Sequence, residues 1–315
     1  MAEYSENPRY IVICGPTACK KSAVATAVAE SLGGEIICGD SMQIYSGLEI
    51  GTAAPGEDEK SRMPHRLYGM VDPAESYSVA RYVAEARQEV ARCAESGAVP
   101  IVCGGTGLYI DALTSGLAFD AAEPDPALRE AIRREYEAGG IAPLMREIIA
   151  ADPESANTLD ERNVKRVLRA VELLRTSGMT TRRQTELTQD RKKFGRALVY
   201  VLAPQDREAL YRRCDERVDM MLQNGLLDEA RYVYENRDRF ATAAQAIGYK
   251  ELFGYIEGVT ELGQCVETLK RATRRYAKRQ LTWFRRESGA TFIDPLEIGT
   301  EKTARRIAND WRGGL

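Results

Sequence analysis

The stretch Tyr10-Ile-Val-Ile-Cys14-Gly15-Pro16-Thr17-Ala18-Cys19-Lys20-Lys21-Ser22 decides the fold. Its β-favouring apolar run stops at a glycine turn, and helical periodicity follows from Ser22 to Leu32. Strand, glycine turn and helix in that order aim backbone N–H groups and a helix N-terminus at one point, where an anion is stabilised. Read against G-x-x-x-x-G-K-[ST], Gly15, Lys21 and Ser22 keep their places. Pro16, Thr17, Ala18 and Cys19 supply the backbone cradle, the Lys21 ammonium reaches a terminal phosphate, and the Ser22 hydroxyl meets Mg²⁺. Lys20 stands where the pattern has its second glycine. Either its stem turns outward or the grip on phosphate is altered. A chance glycine turn among basic residues is the plain alternative, and the flanking strand and helix argue against it.

Working outward, Glu35-Ile-Ile-Cys38 reads as a second strand ending at Gly39-Asp40-Ser41, and Val99 to Cys103 as a third ending at Gly104-Gly105-Thr106. A helix is expected over Val79 to Ser96. Alternating strands and helices imply parallel pairing, which brings the three strand C-termini to one edge, where ligands bind. After Leu117 the pattern is purely helical, punctuated by Pro124, Pro126, Gly139-Gly140, Pro143, Pro153 and Gly178, until Ala197 to Leu202 restores a strand. Further helices are expected near Asp206 to Asn224, Leu227 to Asn236 and Glu261 to Glu287. A short strand at Thr291 to Asp294 and a last helix after Thr300 follow. The expected organisation is a core over 1–116, a helical insertion over 117–196, and core completion with C-terminal helices over 197–315.

The apolar share of 44% and charged share of 29% across 315 residues suit a globular protein with a sizeable core. No apolar run approaches the roughly 20 residues that span a bilayer. Met1 to Pro8 lacks the basic-then-apolar order of a secretory signal, so a cytoplasmic protein without membrane attachment is expected, with monomer as the default. Seven cysteines form no C-x-x-C pair and read as reduced thiols. One histidine, His65, leaves no Cys/His zinc site and a poor basis for a Ser-His-Asp hydrolase; it reads as a loop-structuring residue. Net charge is −3, yet Arg162 to Arg196 holds eleven Lys or Arg against three acids, and Lys270 to Arg286 holds eight against none. A single basic run is usually a solvated face; two separated runs, which can form basic surfaces, weaken that reading. Tyr276, Trp283 and Phe284, interleaved in the second run, read as core aromatics.

Beyond the loop, the chain carries Asp40-Ser41-Met42-Gln43-Ile-Tyr45, Gly51-Thr-Ala53, Pro64-His-Arg-Leu67, Gly104-Gly-Thr106-Gly-Leu-Tyr109 and Gln245-Ala246-Ile247-Gly248-Tyr249-Lys250. In this order and spacing the set resembles the bacterial tRNA dimethylallyltransferases (tRNA isopentenyltransferases), with Lys20 the conspicuous departure. The resemblance implies an α/β fold: a P-loop NTPase-like parallel-sheet core, an inserted all-helical domain that embraces the anticodon stem, and a helical C-terminal region.

It also implies the chemistry. The dimethylallyl group of dimethylallyl diphosphate moves to the exocyclic N6 amine of the adenosine 3′-adjacent to the anticodon, in tRNAs reading codons that begin with U. The residues from Gly15 to Ser22 then hold the diphosphate, with Mg²⁺ on Ser22 as cofactor, and Arg217 matches the family's diphosphate-contacting arginine. Asp40 matches the catalytic aspartate that accepts the amine proton, and Thr106 positions donor and amine. Ser41, Met42 and Gln43, with Asp40 and Thr106, contact the flipped base and its neighbours. Arg129, Lys165, Arg166, Val167, Leu168, Arg169 and Gln245 to Lys250 contact the tRNA anticodon stem-loop. Mg²⁺ binding remains an alternative role for Asp40. Two rival readings stand beside this one: a small-molecule kinase using ATP at the loop, and a tRNA-binding protein whose loop Lys20 has disabled.

Overall fold

The computed structural model describes residues 7–115, 125–183, 186, 193–287 and 289–314. The boundary expected at 116–117, Pro124 and the first six residues lie outside them. Strands β1 (Arg9–Cys14), β2 (Gly34–Cys38), β3 (His65–Arg66), β4 (Val99–Gly104), β5 (Arg196–Leu202) and β6 (Thr291–Ile293) form one parallel sheet in the order β3-β2-β4-β1-β5-β6. Tyr10 to Cys14 are buried throughout, because β1 lies between β4 and β5 with packing on both faces. Ile11 faces Ile101 on one side and Leu198 on the other. The two-residue edge strand β3 escapes sequence periodicity, which needs longer runs.

Helix Lys21–Leu32 begins directly after the glycine turn and stops at Gly33, whose left-handed φ of 64° lets its N–H bond back to the Ala29 carbonyl. Ser78 caps helix Val79–Glu95 by accepting from the Arg81 N–H. Helix Thr300–Arg312 packs on Lys21–Leu32 through Ala304 and Ile307. Helices Arg207–Gln223 and Leu262–Phe284 pair with each other, tied by Lys270–Asp219 at 2.7 Å and Arg274–Asp215 at 2.5 Å. All seven cysteines are buried and free; burial pushes Cys93 and Cys214 up to about 11 and Cys103 to about 12, so they stay thiols. No helix among the described residues is long and apolar enough to cross a membrane.

The chain divides into two compact units, Met1–Thr114 with Lys193–Leu315, and Ser115–Lys192. The second unit holds helices Pro126–Gly139, Ile141–Ala151 and Val164–Ser177 around its own core of Ile132, Leu144, Ile148, Val167 and Val171. Val167 is fully buried there and Leu168 packs against the same cluster. The expected RNA contact by the Val167 side chain is therefore corrected: it holds the helix in place, while Lys165, Arg166 and Arg169 lie exposed on the same helix.

Backbones, rather than side chains, meet where β2 and β4 end. The Gly39 N–H donates to the Cys103 carbonyl at 2.8 Å, and a Cβ on Gly104 would lie 2.0 Å from the Gly39 carbonyl carbon and oxygen. Gly104→Ala must prise the strand ends apart, and should destabilise the fold by about 3 kcal/mol or more. Urea unfolding measures it; an unchanged midpoint would mean that these backbones separate freely.

Candidate active site

The loops after β1, β2 and β4 converge at the carboxyl edge of the sheet, where the strand order reverses. With helices Arg207–Gln223 and Leu262–Phe284 they enclose a cavity of about 750 Å³. Lys20, Lys21, Arg213, Arg217, Lys250 and Arg279 line it against three acids, Asp40, Glu59 and Glu216, so the cavity favours an anion. Met220, Met221, Ile247 and Leu269 add apolar wall.

The loop's shape follows from its glycine and its left-handed residues. Gly15 has φ 146°, and a Cβ there would lie 2.4 Å from the Leu202 carbonyl oxygen of β5. Ala18 and Lys20 adopt φ 64° and 67°. Position 20 is the N-cap of helix Lys21–Leu32 and left-handed, which explains why the pattern has glycine there. Lys20 is half-buried and among the residues that line the cavity. Lys21 Nζ donates across the loop to the Pro16 carbonyl at 2.7 Å, and Arg213 Nε donates to the Ala18 carbonyl at 2.9 Å. Ser22 is exposed on the cavity wall.

Asp40 follows β2 after Gly39, and its carboxylate accepts from the Met42 N–H at 3.1 Å, a short Asx turn that orients it. The Thr106 hydroxyl accepts from the Ser41 N–H at 2.9 Å and donates to the Ser41 hydroxyl at 3.1 Å, while the Thr106 N–H donates to the Gly39 carbonyl at 3.2 Å. Asp40 and Thr106 are thus held on one frame. Gln43 Nε2 donates to the Thr52 and Ala53 carbonyls at 3.0 and 2.9 Å, which fixes its orientation. Arg217 donates to the Thr52 carbonyl at 3.3 Å. Burial pushes its guanidinium down from the ordinary value, and Asp40 pulls it back up. A desolvated cation whose protein contact is a neutral carbonyl is well suited to an incoming phosphate.

Sequence reading missed four contributors, whose roles arise only from tertiary approach. Arg213 is one. The other three are Tyr276, Gln280 and Glu229. Tyr276, read as core, lines the cavity; burial and Asp40 push its phenol up. Of the other two aromatics, Phe284 is core as expected, whereas Trp283 is 41% exposed and donates to Asp111 Oδ2 at 2.8 Å. Gln280 is buried between the loop and β4. Glu229 accepts from the Ile50 and Gly51 N–H groups at 2.9 and 2.7 Å and from the Tyr249 hydroxyl at 2.8 Å. Tyr249 is fully buried against Gly51, where a Cβ would lie 2.5 Å from its ring. Its expected RNA contact is corrected to a packing role, while Gln245, Ala246, Ile247, Gly248 and Lys250 line the cavity. His65 sits on β3, bonded through Nδ1 to the Met63 carbonyl at 3.0 Å and set edge-on to Tyr68.

In the inserted unit, the buried Glu172 carboxylate binds Arg129 and Arg169, each at 2.7 Å. Asp152, held by Arg182, is pulled down to about 2.

For Mg²⁺, the donors present fit a hard cation bound mainly through its substrate. Among the described residues no group of three His, Cys, Asp or Glu could hold a metal unaided. The Ser22 hydroxyl, which lines the cavity, would supply one oxygen of the set that Mg²⁺ takes, the remainder coming from substrate and solvent.

Two outcomes follow from this geometry. Lys20→Gly should stabilise the protein by about 1 kcal/mol, because a left-handed L-residue is relieved; thermal unfolding checks it, and a destabilised variant would overturn the strain argument. Burial and a hydrogen bond to Asp111 push the Glu287 carboxyl from 4.5 up to about 8. A raised carboxyl favours the folded state when protonated, so its contribution is complete below about pH 4.5, declines as pH rises, and is gone above about 8. The thermal midpoint of the natural chain should fall relative to Glu287→Gln between pH 5 and 8; parallel profiles would exclude the pair.

The family model for IPP transferase matches residues 43–287. The tRNA dimethylallyltransferase of Bacillus subtilis (strain 168) is 42% identical over 299 residues, covering 93% of each chain. That of Geobacillus kaustophilus is 42% identical over 302 residues, covering 94% of this chain and 95% of its own. The crystal structure of the full-length tRNA isopentenylpyrophosphate transferase from Bacillus halodurans superposes with a TM-score of 0.71 at 35% identity, covering 98% of this chain and 96% of that one. A eukaryotic dimethylallyltransferase seen acting on tRNA superposes at 0.83 and 26% identity, covering 98% of this chain and 80% of that one. Matched by the family model from the loop after β2 to the end of the paired C-terminal helices, the chain belongs to the IPP transferase family.

Proposed function

We infer that the chain is a tRNA dimethylallyltransferase, moving the dimethylallyl group of dimethylallyl diphosphate to the N6 amine of the adenosine 3′-adjacent to the anticodon in tRNAs reading codons that begin with U. One observation supports this reading above the others: the phosphate loop and Asp40, whose neighbour Ser41 is tied to Thr106, open into the same cavity, which also carries an apolar wall. A diphosphate, a short prenyl chain and an acceptor amine can meet there.

Each step has residues to carry it. The loop from Gly15 to Ser22, with Arg217, binds the diphosphate, and these cations act most strongly as the allylic C–O bond breaks and both its electrons leave with pyrophosphate. Ser22 would hold Mg²⁺ together with the diphosphate, and the ion would supply charge neutralisation for the leaving group. The N6 lone pair forms the new N–C bond, and Asp40 accepts the proton shed by the nitrogen. Thr106, locked to Ser41, orients the amine. Anticodon loops release a base more cheaply than duplexes do, so the adenine can be extruded toward Asp40, Ser41, Met42 and Gln43. Lys165, Arg166, Arg129 and Arg169 in the insertion, and Gln245 and Lys250 in the core, bind tRNA backbone; phosphate contacts of this kind position rather than specify.

The test is transfer of labelled dimethylallyl from its diphosphate to an unmodified anticodon stem-loop with Mg²⁺. Asp40→Asn should lower single-turnover transfer by roughly 10²- to 10⁴-fold with stem-loop affinity unchanged. Unlabelled RNA, together with ATP turnover in the absence of RNA, would overturn the reading in favour of a kinase.

A further inference from the structure

Helix Leu262–Phe284 offers Tyr276 and Gln280, one turn apart on one face, to the point where donor loop and acceptor frame meet. Gln280 is buried and uses its amide at both ends. Its Oε1 accepts from the Thr17 N–H at 2.8 Å, and its Nε2 donates to the Gly105 carbonyl at 2.8 Å. Thr17 belongs to the phosphate loop, and Gly105 precedes Thr106. One planar group therefore spans the two halves of the site.

The surroundings are built to admit that group. A Cβ on Gly105 would lie 2.4 Å from Gln280 Nε2 and 3.3 Å from Asp40 Oδ2, so this backbone passes between amide and carboxylate only as glycine. One turn earlier Tyr276 lines the same cavity. The helix is fastened to Arg207–Gln223, which carries Arg213 on the loop and Arg217 above Thr52. Among uncharged side chains of this length, a primary amide supplies one acceptor and one donor at fixed separation. A carboxylate only accepts, and methionine of similar size satisfies neither backbone group.

We propose that Gln280 is a positioning residue of the transfer reaction: its amide sets the spacing between the phosphate loop and the Asp40–Thr106 frame, and so between the allylic carbon and the attacking nitrogen. This rests on the transferase reading above. Misplacing reacting atoms by about 1 Å costs on the order of 10²-fold in rate, whereas each substrate still finds its own half of the site intact.

The experiment compares the natural chain with Gln280→Met and Gln280→Glu in three measurements. These are binding of the thiolo analogue of dimethylallyl diphosphate, binding of the anticodon stem-loop, and single-turnover transfer between saturating substrates, with thermal unfolding as the check on folding. In Gln280→Met both binding constants should stay within about 3-fold while transfer falls on the order of 10²-fold. Gln280→Glu keeps the Thr17 contact and regains a donor only when protonated. Its transfer rate relative to the natural chain should therefore rise as pH falls, and it decides the matter if the methionine variant does not fold. Natural transfer rates in a folded variant, or a loss of analogue binding as large as the loss of transfer, would overturn the proposal. Absence of transfer by the natural chain would overturn the transferase reading instead.

Discussion

Two glycine backbones in contact govern the rest of this structure. Gly39 closes on Cys103 and Gly104 at the ends of β2 and β4 with no side chain between them. That approach fixes where the residues that follow the two strands, Asp40 and Thr106, emerge. The phosphate loop leaves β1, next to β4, and inherits the same frame of reference. The phosphate loop, Asp40 and Thr106 are therefore referred to three adjacent strand ends.

The paired C-terminal helices close this frame from the other side. Arg213, Arg217, Tyr276 and Gln280 come from two helices tied to each other by ion pairs: Arg213 and Gln280 hold the phosphate loop, Gln280 also reaches Gly105, Arg217 reaches Thr52, and Tyr276 lines the cavity. A similar fastening joins Tyr249, Glu229 and the Gly51 turn, which bears the Thr52 carbonyl to which both Gln43 and Arg217 donate. The separate sequence motifs are in this sense one mechanical assembly: some members face the cavity and others, such as Tyr249, hold them there.

Local signals made much of this legible. Apolar runs ending in glycine located β1, β2 and β4, and helical periodicity located the longer core helices, such as Val79–Glu95 and Arg207–Gln223, to within three residues, while the shorter Gly107–Thr114 passed unnoticed, because periodicity needs several turns to show. Asp40 and Thr106 were found by their place at strand ends and by family resemblance. Gln280 and Glu229 were not, since a glutamine in a basic helix and a glutamate in an amphipathic one have no local signature; only tertiary packing directs them at a backbone. Tyr276, Trp283 and Phe284 show the same limit: three aromatics in one helix went to cavity, surface and core. Val167 lies in a stretch assigned as a whole to RNA, but helical periodicity alternates its residues between surface and core, and burial claimed that position.

Glu172 carries a consequence for the energetics of any polyanion at the inserted unit. Arg129 and Arg169 share its one buried carboxylate, so the trio brings a net charge of one rather than two. An RNA backbone meeting both guanidinium heads displaces fewer condensed counterions than two independent arginines would, and affinity there depends less steeply on salt. In exchange the two heads are already immobilised, and little side-chain freedom remains to be lost on contact.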